Sequence, residues 1–333
     1  MEEAINKDLT TAETEKPTMK DHTALHGLTV LFQKELADHI HSRRFFIVMG
    51  LIALTCGAGI YGVVSNLADV AKADPDFLFL KLFTMSGNSI PSFMTFIALL
   101  GPFVGLTLGF DAINKERAEG TLNRLASQPI YRDAIINGKF LAGAAIIFLM
   151  VFSMGLIVGA VGLIAIGTPP EAEEVGRVFV FLLFTALYIC FWLALSILLS
   201  TVCRLSATSA MLGIALWIFF ALFMSLVVNI ISNVICPAQD TVANVISNYE
   251  MQMYLNRLSP YYLYSEAVST IMAPSVRTTN LILPEQLSGA ISGYLSLGQS
   301  LLLVWPHLTG LIAVTVLMFA LSYIAFMRKE IRY

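Results

Sequence analysis

Six stretches of this chain are too apolar and too long to lie at the surface of a water-soluble protein. Residues 45–64 run about twenty positions without a charge, enough for a helix to cross a hydrocarbon layer of ~30 Å. Residues 90–110, 140–166, 178–200, 210–235 and 301–326 repeat the pattern. Backbone N–H and C=O groups find no water in lipid, so segments of this kind must satisfy them internally, as helices. Composition agrees: 57% of the 333 residues are apolar and 13% charged, whereas soluble domains run nearer ~45–50% and ~25%. The expected fold is an all-α polytopic membrane protein with six transmembrane helices.

Between these runs the character changes. Residues 1–23 are polar and lack an apolar core, as a disordered tail does; no apolar run follows a basic start, so they do not form a signal peptide. In 24–44, Leu25, Leu28, Leu31, Phe32 and Leu36 recur at helical spacing, while Gln33, Lys34, Glu35 and Asp38 take the other side. This predicts an amphipathic elbow helix lying in the membrane interface in contact with lipid, or else packed on the protein's own surface. The run 77–83 (FLFLKLF) is too short to span and reads as interfacial. Within the second run, Pro102 predicts a kink, and Gly101, Gly105 and Gly109 sit four apart on one face, where a second helix can approach closely.

Basic residues near the span ends set the orientation. With the N-terminus inside, the cytoplasmic flanks hold Arg43, Arg44, Lys115, Arg117, Arg124, Arg132, Lys139, Arg204, Arg328, Lys329 and Arg332. The opposite loops hold fewer: Lys72, Lys81, Arg177, Arg257 and Arg277. Both termini and 111–139 are therefore expected inside, and 236–300 outside.

Several functions have no residues to carry them. The spans contain almost no ionisable groups of the kind that ion-coupled carriers and pumps use. His307, after Trp305–Pro306 at the outer end of the last span, reads as interfacial packing rather than a proton relay. Cys56, Cys190, Cys203 and Cys236 are scattered and form no CxxC pair, which predicts buried apolar thiols and no metal or disulfide framework. No basic face interleaves with aromatics as nucleic-acid binding requires. There is no HExxH and no GxSxG. Gly138–Lys139 falls short of a Walker A loop, because Asp133 and Phe140 occupy the places of a glycine and a Ser/Thr. The chain is not expected to hydrolyse ATP or to hold a cofactor of its own.

What the sequence does contain is one charged insert, 110–139, between two membrane-length runs. Residues 111–124 hold good helix formers around Gly120, Gln128–Pro129 ends the helix, and a second short helical piece, 131–139, leads into the third span. On spacing alone this is either a site of energy input or a solvated loop that fixes topology.

The insert resembles the signature of type-2 ABC transporter permeases, the membrane subunits of ATP-binding-cassette exporters. The matching residues are Phe110–Asp111, Glu116–Arg117, Gly120–Thr121–Leu122, Leu125, Ser127, Pro129–Ile130, Arg132 and Gly138–Lys139. The wider layout is similar too, with Lys34-Glu35-Leu36 in an elbow helix and a long segment before the last span. The nearest branch by resemblance holds permeases that accompany copper-enzyme maturation and gliding-machinery ATPases. The resemblance implies a prokaryotic plasma-membrane location, a coupling helix seated in a separate ABC-type ATPase subunit that binds ATP and Mg, and pairing with a second permease copy or a similar permease. Glu116 and Arg117 would touch that ATPase or brace the elbow helix. Gly120, Thr121, Leu122, Leu125, Pro129 and Arg132 would complete the coupling element, with Thr121, Leu122 and Leu125 as its apolar plug.

A hydrophobic or amphipathic substrate is expected, since the spans offer apolar residues with scattered polar ones such as Thr185, Ser225 and Asn229. A mechanical transmitter or a scaffold that moves nothing is the alternative; a secondary carrier is disfavoured. In 236–300, Leu258-Ser259-Pro260 resembles a turn between the family's short external helices. The neighbouring Met251, Met253, Tyr254, Tyr261, Tyr262 and Tyr264 suit helix packing better than a soft metal site. The segment is long enough to hold an extracytoplasmic partner.

Overall fold

The structure is a computed structural model, and it describes residues 19–64, 77–84, 92–121, 131–167, 169–237, 241–275 and 294–328. Among them there are helices and turns and no strands. In chain order the helices are α1 (Met19–Ile40), α2 (Arg43–Val64), α3 (Leu78–Thr84), α4 (Phe93–Gly109), α5 (Asn114–Ala118), α6 (Arg132–Ile166) and α7 (Ala172–Val202). Then come α8 (Ser206–Ile218), a π-helical turn (Phe219–Phe223), α9 (Met224–Ile235), α10 (Val242–Asn256), α11 (Pro260–Met272) and α12 (Leu297–Arg328). Among the described residues five helical stretches are long and apolar enough to cross a membrane: Phe93–Ala118, Arg132–Ile166, Ala172–Val202, Ser206–Ile235 and Leu297–Arg328. The first expected span, 45–64, lies within the 22-residue α2.

α7 is the centre of the bundle. It packs against α12, α4, α6 and α11, and 78% of its apolar window is buried, against 6% for the continuous α8–π–α9 helix. The glycine face of α4 explains one of these contacts. A Cβ on Gly105 would lie 2.6 Å from the Ile189 carbonyl oxygen and 2.8 Å from the Leu193 nitrogen, and one on Gly109 2.8 Å from the Ser196 Cβ. At Gly101 the neighbour is the Ile189 side chain, 3.1 Å away. Backbone thus meets backbone, and Ser196 Oγ donates to the Leu106 carbonyl at 2.9 Å across the same seam.

Several expectations need correction. The N-terminal helix begins at Met19, inside the stretch read as tail. The 131–139 piece is not separate but the first turns of the 35-residue α6, which at 1.5 Å per residue is roughly 50 Å long and outruns a bilayer core. The 77–83 run is a helix covered by protein: Phe79, Leu80, Leu82 and Phe83 of α3 are buried, and α3 packs among α2, α4, α6, α7 and α11. Phe83 meets Phe93 and Phe181 edge to face. Its apolar side chains face protein because Glu174 holds the start of the helix, accepting from the Phe79 N–H at 3.1 Å.

The end of the bundle near α3 is tied by polar side chains that the sequence reading left in loops. Arg177 is fully buried and donates to the carbonyls of Ile271 and Leu295 and to Ser300 Oγ, while pairing with Glu173. His307 is buried too, within hydrogen-bonding distance of a carboxylate: its Nε2 lies 2.7 Å from Glu266, which also takes a bidentate contact from Arg257. Thr185 is buried and bonded to Tyr264, which stacks on Tyr188 at 4.3 Å. In the 258–260 turn, Ser259 accepts from the Tyr262 N–H and Pro260 opens α11, a serine cap with a first-turn proline. The same Ser259 Oγ donates to the Phe220 carbonyl in the π turn, where the i→i−4 ladder is broken.

Gly105→Ala should lower unfolding stability in detergent by about 1–3 kcal/mol, because neither backbone atom it meets can swing aside. Gly50→Ala, where a Cβ meets nothing within 4 Å, should leave the thermal midpoint unchanged or slightly raised.

Candidate functional site

The charged insert folds back on the start of the chain. One helical turn of α1 places Leu31 and Glu35 on one face, both buried, and this face lies along the first turns of α6. The close approach needs Gly138, where a Cβ would lie 3.3 Å from the Leu31 Cβ. One residue on, Lys139 enters the same seam. Its ammonium lies 3.0 Å from Glu35 Oε1 and 2.7 Å from Glu116 Oε1, and Lys139 is only 6% exposed. Lys34 completes the cluster, 3.0 Å from Glu35 and 3.8 Å from Glu116.

Three segments far apart in sequence are thereby joined: the Lys34-Glu35-Leu36 stretch, the Glu116–Arg117 pair and the Gly138–Lys139 pair. The amphipathic pattern had put Glu35 on the solvent side of α1; the structure puts it inside, because a counter-ion waits there. Burial would push the Glu35 carboxyl up, but Lys139 and Lys34 beside it hold it below its ordinary value. The one sequence clue was Lys139 itself, since an ammonium at the edge of an apolar span needs a partner.

α5 is short for identifiable reasons. Gly120 has a φ of +71°, a left-handed conformation that ends a helix and that favours glycine. Thr121 Oγ1 donates back to the Glu116 carbonyl at 3.1 Å. The helix therefore stops at Ala118, well before the Gln128–Pro129 end expected from the sequence, which lies outside the described residues. At its start, Ile113 offers no side-chain cap. Ser200, near the end of α7, takes that role from outside: its Oγ accepts from the N–H groups of Ile113 and Asn114 and donates to Asn114 Oδ1. Ser200 and Asn114 are both buried, and nothing in the sequence pattern singled them out.

The remaining expected residues fall into three groups. Arg117 is half-exposed on α5, beside exposed Lys115 and Glu119. Arg132 opens α6 and reaches the far end of α12, donating to the Phe326 carbonyl at 3.4 Å and lying over its ring, where a cation complements the helix C-terminus. Leu122, Leu125 and Pro129 lie outside the described residues. Among the described residues no group of His, Cys, Asp and Glu is arranged to hold a metal ion.

A helical membrane protein with a charged joint clamped between two long apolar helices is the class that fold and site define. The family is specific: the model of the ABC-2 family transporter protein matches residues 29–331, and the chain belongs to that family as a transmembrane ABC transporter permease subunit. Among curated proteins it is similar to one named "Probable ABC transporter permease protein NosY" from Stutzerimonas stutzeri, 29% identical over 305 residues, 89% of this chain and 96% of that one. The same name belongs to a Pseudomonas aeruginosa relative, 29% identical over 198 residues; there the match spans 58% of this chain and 66% of the relative, just under two thirds.

Removing one member of a buried ion cluster leaves a charge uncompensated, at about 3–5 kcal/mol. Lys139→Met should therefore lower stability by that order, and adding Glu35→Gln should recover part of it, read by thermal unfolding. Because the folded Glu35 carboxyl titrates below its ordinary value of 4.5, its contribution is complete above that pH. It is lost as the pH falls through the folded value. Below about pH 4.5 the unaltered chain should lose stability faster than Glu35→Gln.

Proposed function

We propose that this permease couples ATP hydrolysed in a separate ABC-type ATPase subunit, where ATP and Mg bind, to export of a hydrophobic or amphipathic substrate across a prokaryotic plasma membrane. In this reading there are six spans, with α2 as the first, both termini are cytoplasmic, and α5 with the residues after it is the coupling element. The observation that carries it is the position of α5. It sits directly between α4 and α6 and is locked to α6 and α1 by Glu116 and to α7 by Ser200. A push on so short a helix moves the ends of the four helices it is tied to, as rigid-body coupling requires. Glu116 acts as the brace, and Arg117 with Leu122 faces the ATPase.

Pairing of two copies is part of the same proposal. On the peripheral α8–π–α9 helix, Ser225, Asn229 and Asn233 recur every four residues on an exposed, otherwise apolar surface. Asn233 donates to Asn229 at 2.9 Å and accepts from Asn248 of α10. Such a polar ridge is unfavourable against hydrocarbon, and a second copy across it would give the remaining amide groups partners.

Arg117→Glu and Leu122→Asp should leave insertion and thermal stability unchanged and weaken ATPase association. Loss of a central contact of ~2 kcal/mol corresponds to about 30-fold. Co-purification of the ATPase with a tagged chain measures it. Retention of the ATPase by both variants at the level of the unaltered chain would remove the coupling assignment and favour a scaffold.

A further inference from the structure

Beside the Lys139 cluster, α1, α2, α4, α5 and α6 enclose a cavity of about 540 Å³. Its lining changes character along its length. Around the charged junction stand Arg43 of α2, Lys115 of α5 with Asp111 just before that helix and Glu119 just after it, and Asp38 and His39 of α1; away from it the wall is Phe45, Val48, Val104, Leu108 and Met150. Val104 is seven residues before Asp111 on the α4 side, and Met150 eleven past Lys139 on α6. At 1.5 Å per residue the apolar part therefore reaches roughly 10–16 Å toward the middle of the bundle. Next to Phe45, Phe46 and Ile47 are 64% and 69% exposed, so the rim adjoins an outward-facing apolar surface.

A charged rim on an apolar shaft fits an amphiphile, and the mixture of signs selects among amphiphiles. Lys34 and Lys139 already face Glu35 and Glu116. Around them the rim holds both a cationic pair, Arg43 and Lys115, and carboxylates, Asp38, Asp111 and Glu119, with the His39 imidazole beside them. An anionic headgroup would meet the carboxylates, and a cationic one would meet the arginine and lysine. A zwitterion carrying a phosphate and an ammonium complements both. Glu116 Oε2 is buried without a hydrogen-bond partner, so the junction still has acceptor capacity for an N–H donor. A primary ammonium has three such donors; a trimethylammonium has none.

We infer that this cavity is a binding site for a zwitterionic phospholipid with a primary amine, phosphatidylethanolamine, whose headgroup sits at the Lys139 junction and whose acyl chain follows α4 and α6. The inference rests on the reading that this end of the bundle lies at a membrane surface, and it does not need the ATPase. A lipid seated here touches α1, α2, α4, α5 and α6 at once, so its presence stiffens the joint through which the proposed coupling runs.

The test is native mass spectrometry with thermal unfolding on the delipidated full chain, titrated separately with phosphatidylethanolamine, phosphatidylcholine and phosphatidylglycerol. The expected result is one phosphatidylethanolamine retained per chain with a raised midpoint. Phosphatidylcholine should need about tenfold more lipid for equal occupancy, the worth of one charge-assisted hydrogen bond. Arg43→Gln combined with Lys115→Gln should lower phosphatidylethanolamine occupancy by a similar factor. Equal occupancy by phosphatidylcholine, a preference for phosphatidylglycerol, or unchanged retention by the double variant overturns the assignment. The lipid series on the unaltered chain needs no variant and decides the matter where the double variant does not fold. ATPase retention read on the same preparations separates failure of the lipid site from failure of the coupling proposal.

Discussion

The Lys139 ammonium, shared between Glu35 and Glu116, is the interaction on which the joint around α5 depends. Each of these charges would be costly alone where it sits, because burial strips water from both signs. Together they satisfy one another at 2.7 and 3.0 Å. They also join three segments far apart in the chain: the helix before the first apolar run, the insert, and the third apolar run. Specificity is the natural product of such an arrangement. Apolar helix faces can slide on one another, whereas an ammonium between two carboxylates has one place to be.

The rest of the architecture keeps that joint in register. Gly138 lets α1 lie close enough on α6 for Glu35 to reach Lys139. Ser200 fixes the first turn of α5 to the end of α7, and α7 is held to α4 by the contacts at Gly105 and Gly109. Arg177 ties the other end of α7 to α11 and α12. In the proposed coupling, a displacement at α5 would pass to a buried helix that is anchored at both ends, for which tilt costs less than local bending.

Much of this was legible in the sequence, and the failures have physical causes. Long uncharged runs announce helices because lipid leaves the backbone no alternative, so the helix class and most boundaries follow from composition alone. The glycines of α4 were readable because a four-residue repeat always shares a helix face. Glu35 was misplaced because an amphipathic pattern sorts residues by polarity, and a carboxylate whose counter-ion lies 104 positions away looks like any solvated one. Ser200 and Asn114 were invisible for a related reason: a hydroxyl capping another segment's helix leaves no local signal. The burial of 77–83 was not readable either, because length excludes spanning but does not distinguish a surface helix from one covered by other helices. Likewise the helix formers on both sides of Gly120 hid the single left-handed residue that divides them.

The central claim is that α5 moves as one body with α1 and α6. Paired spin labels at Asp38 on α1 and Glu119 at the end of α5, both exposed positions, report on it directly in the complex with the ATPase subunit, with and without ATP. A rigid joint predicts a narrow Asp38–Glu119 distance distribution that nucleotide leaves in place, and that broadens when Lys139 is replaced by methionine. A shift of several ångströms in the unaltered chain on adding ATP would mean that α5 swings free of α1, and would contradict the account.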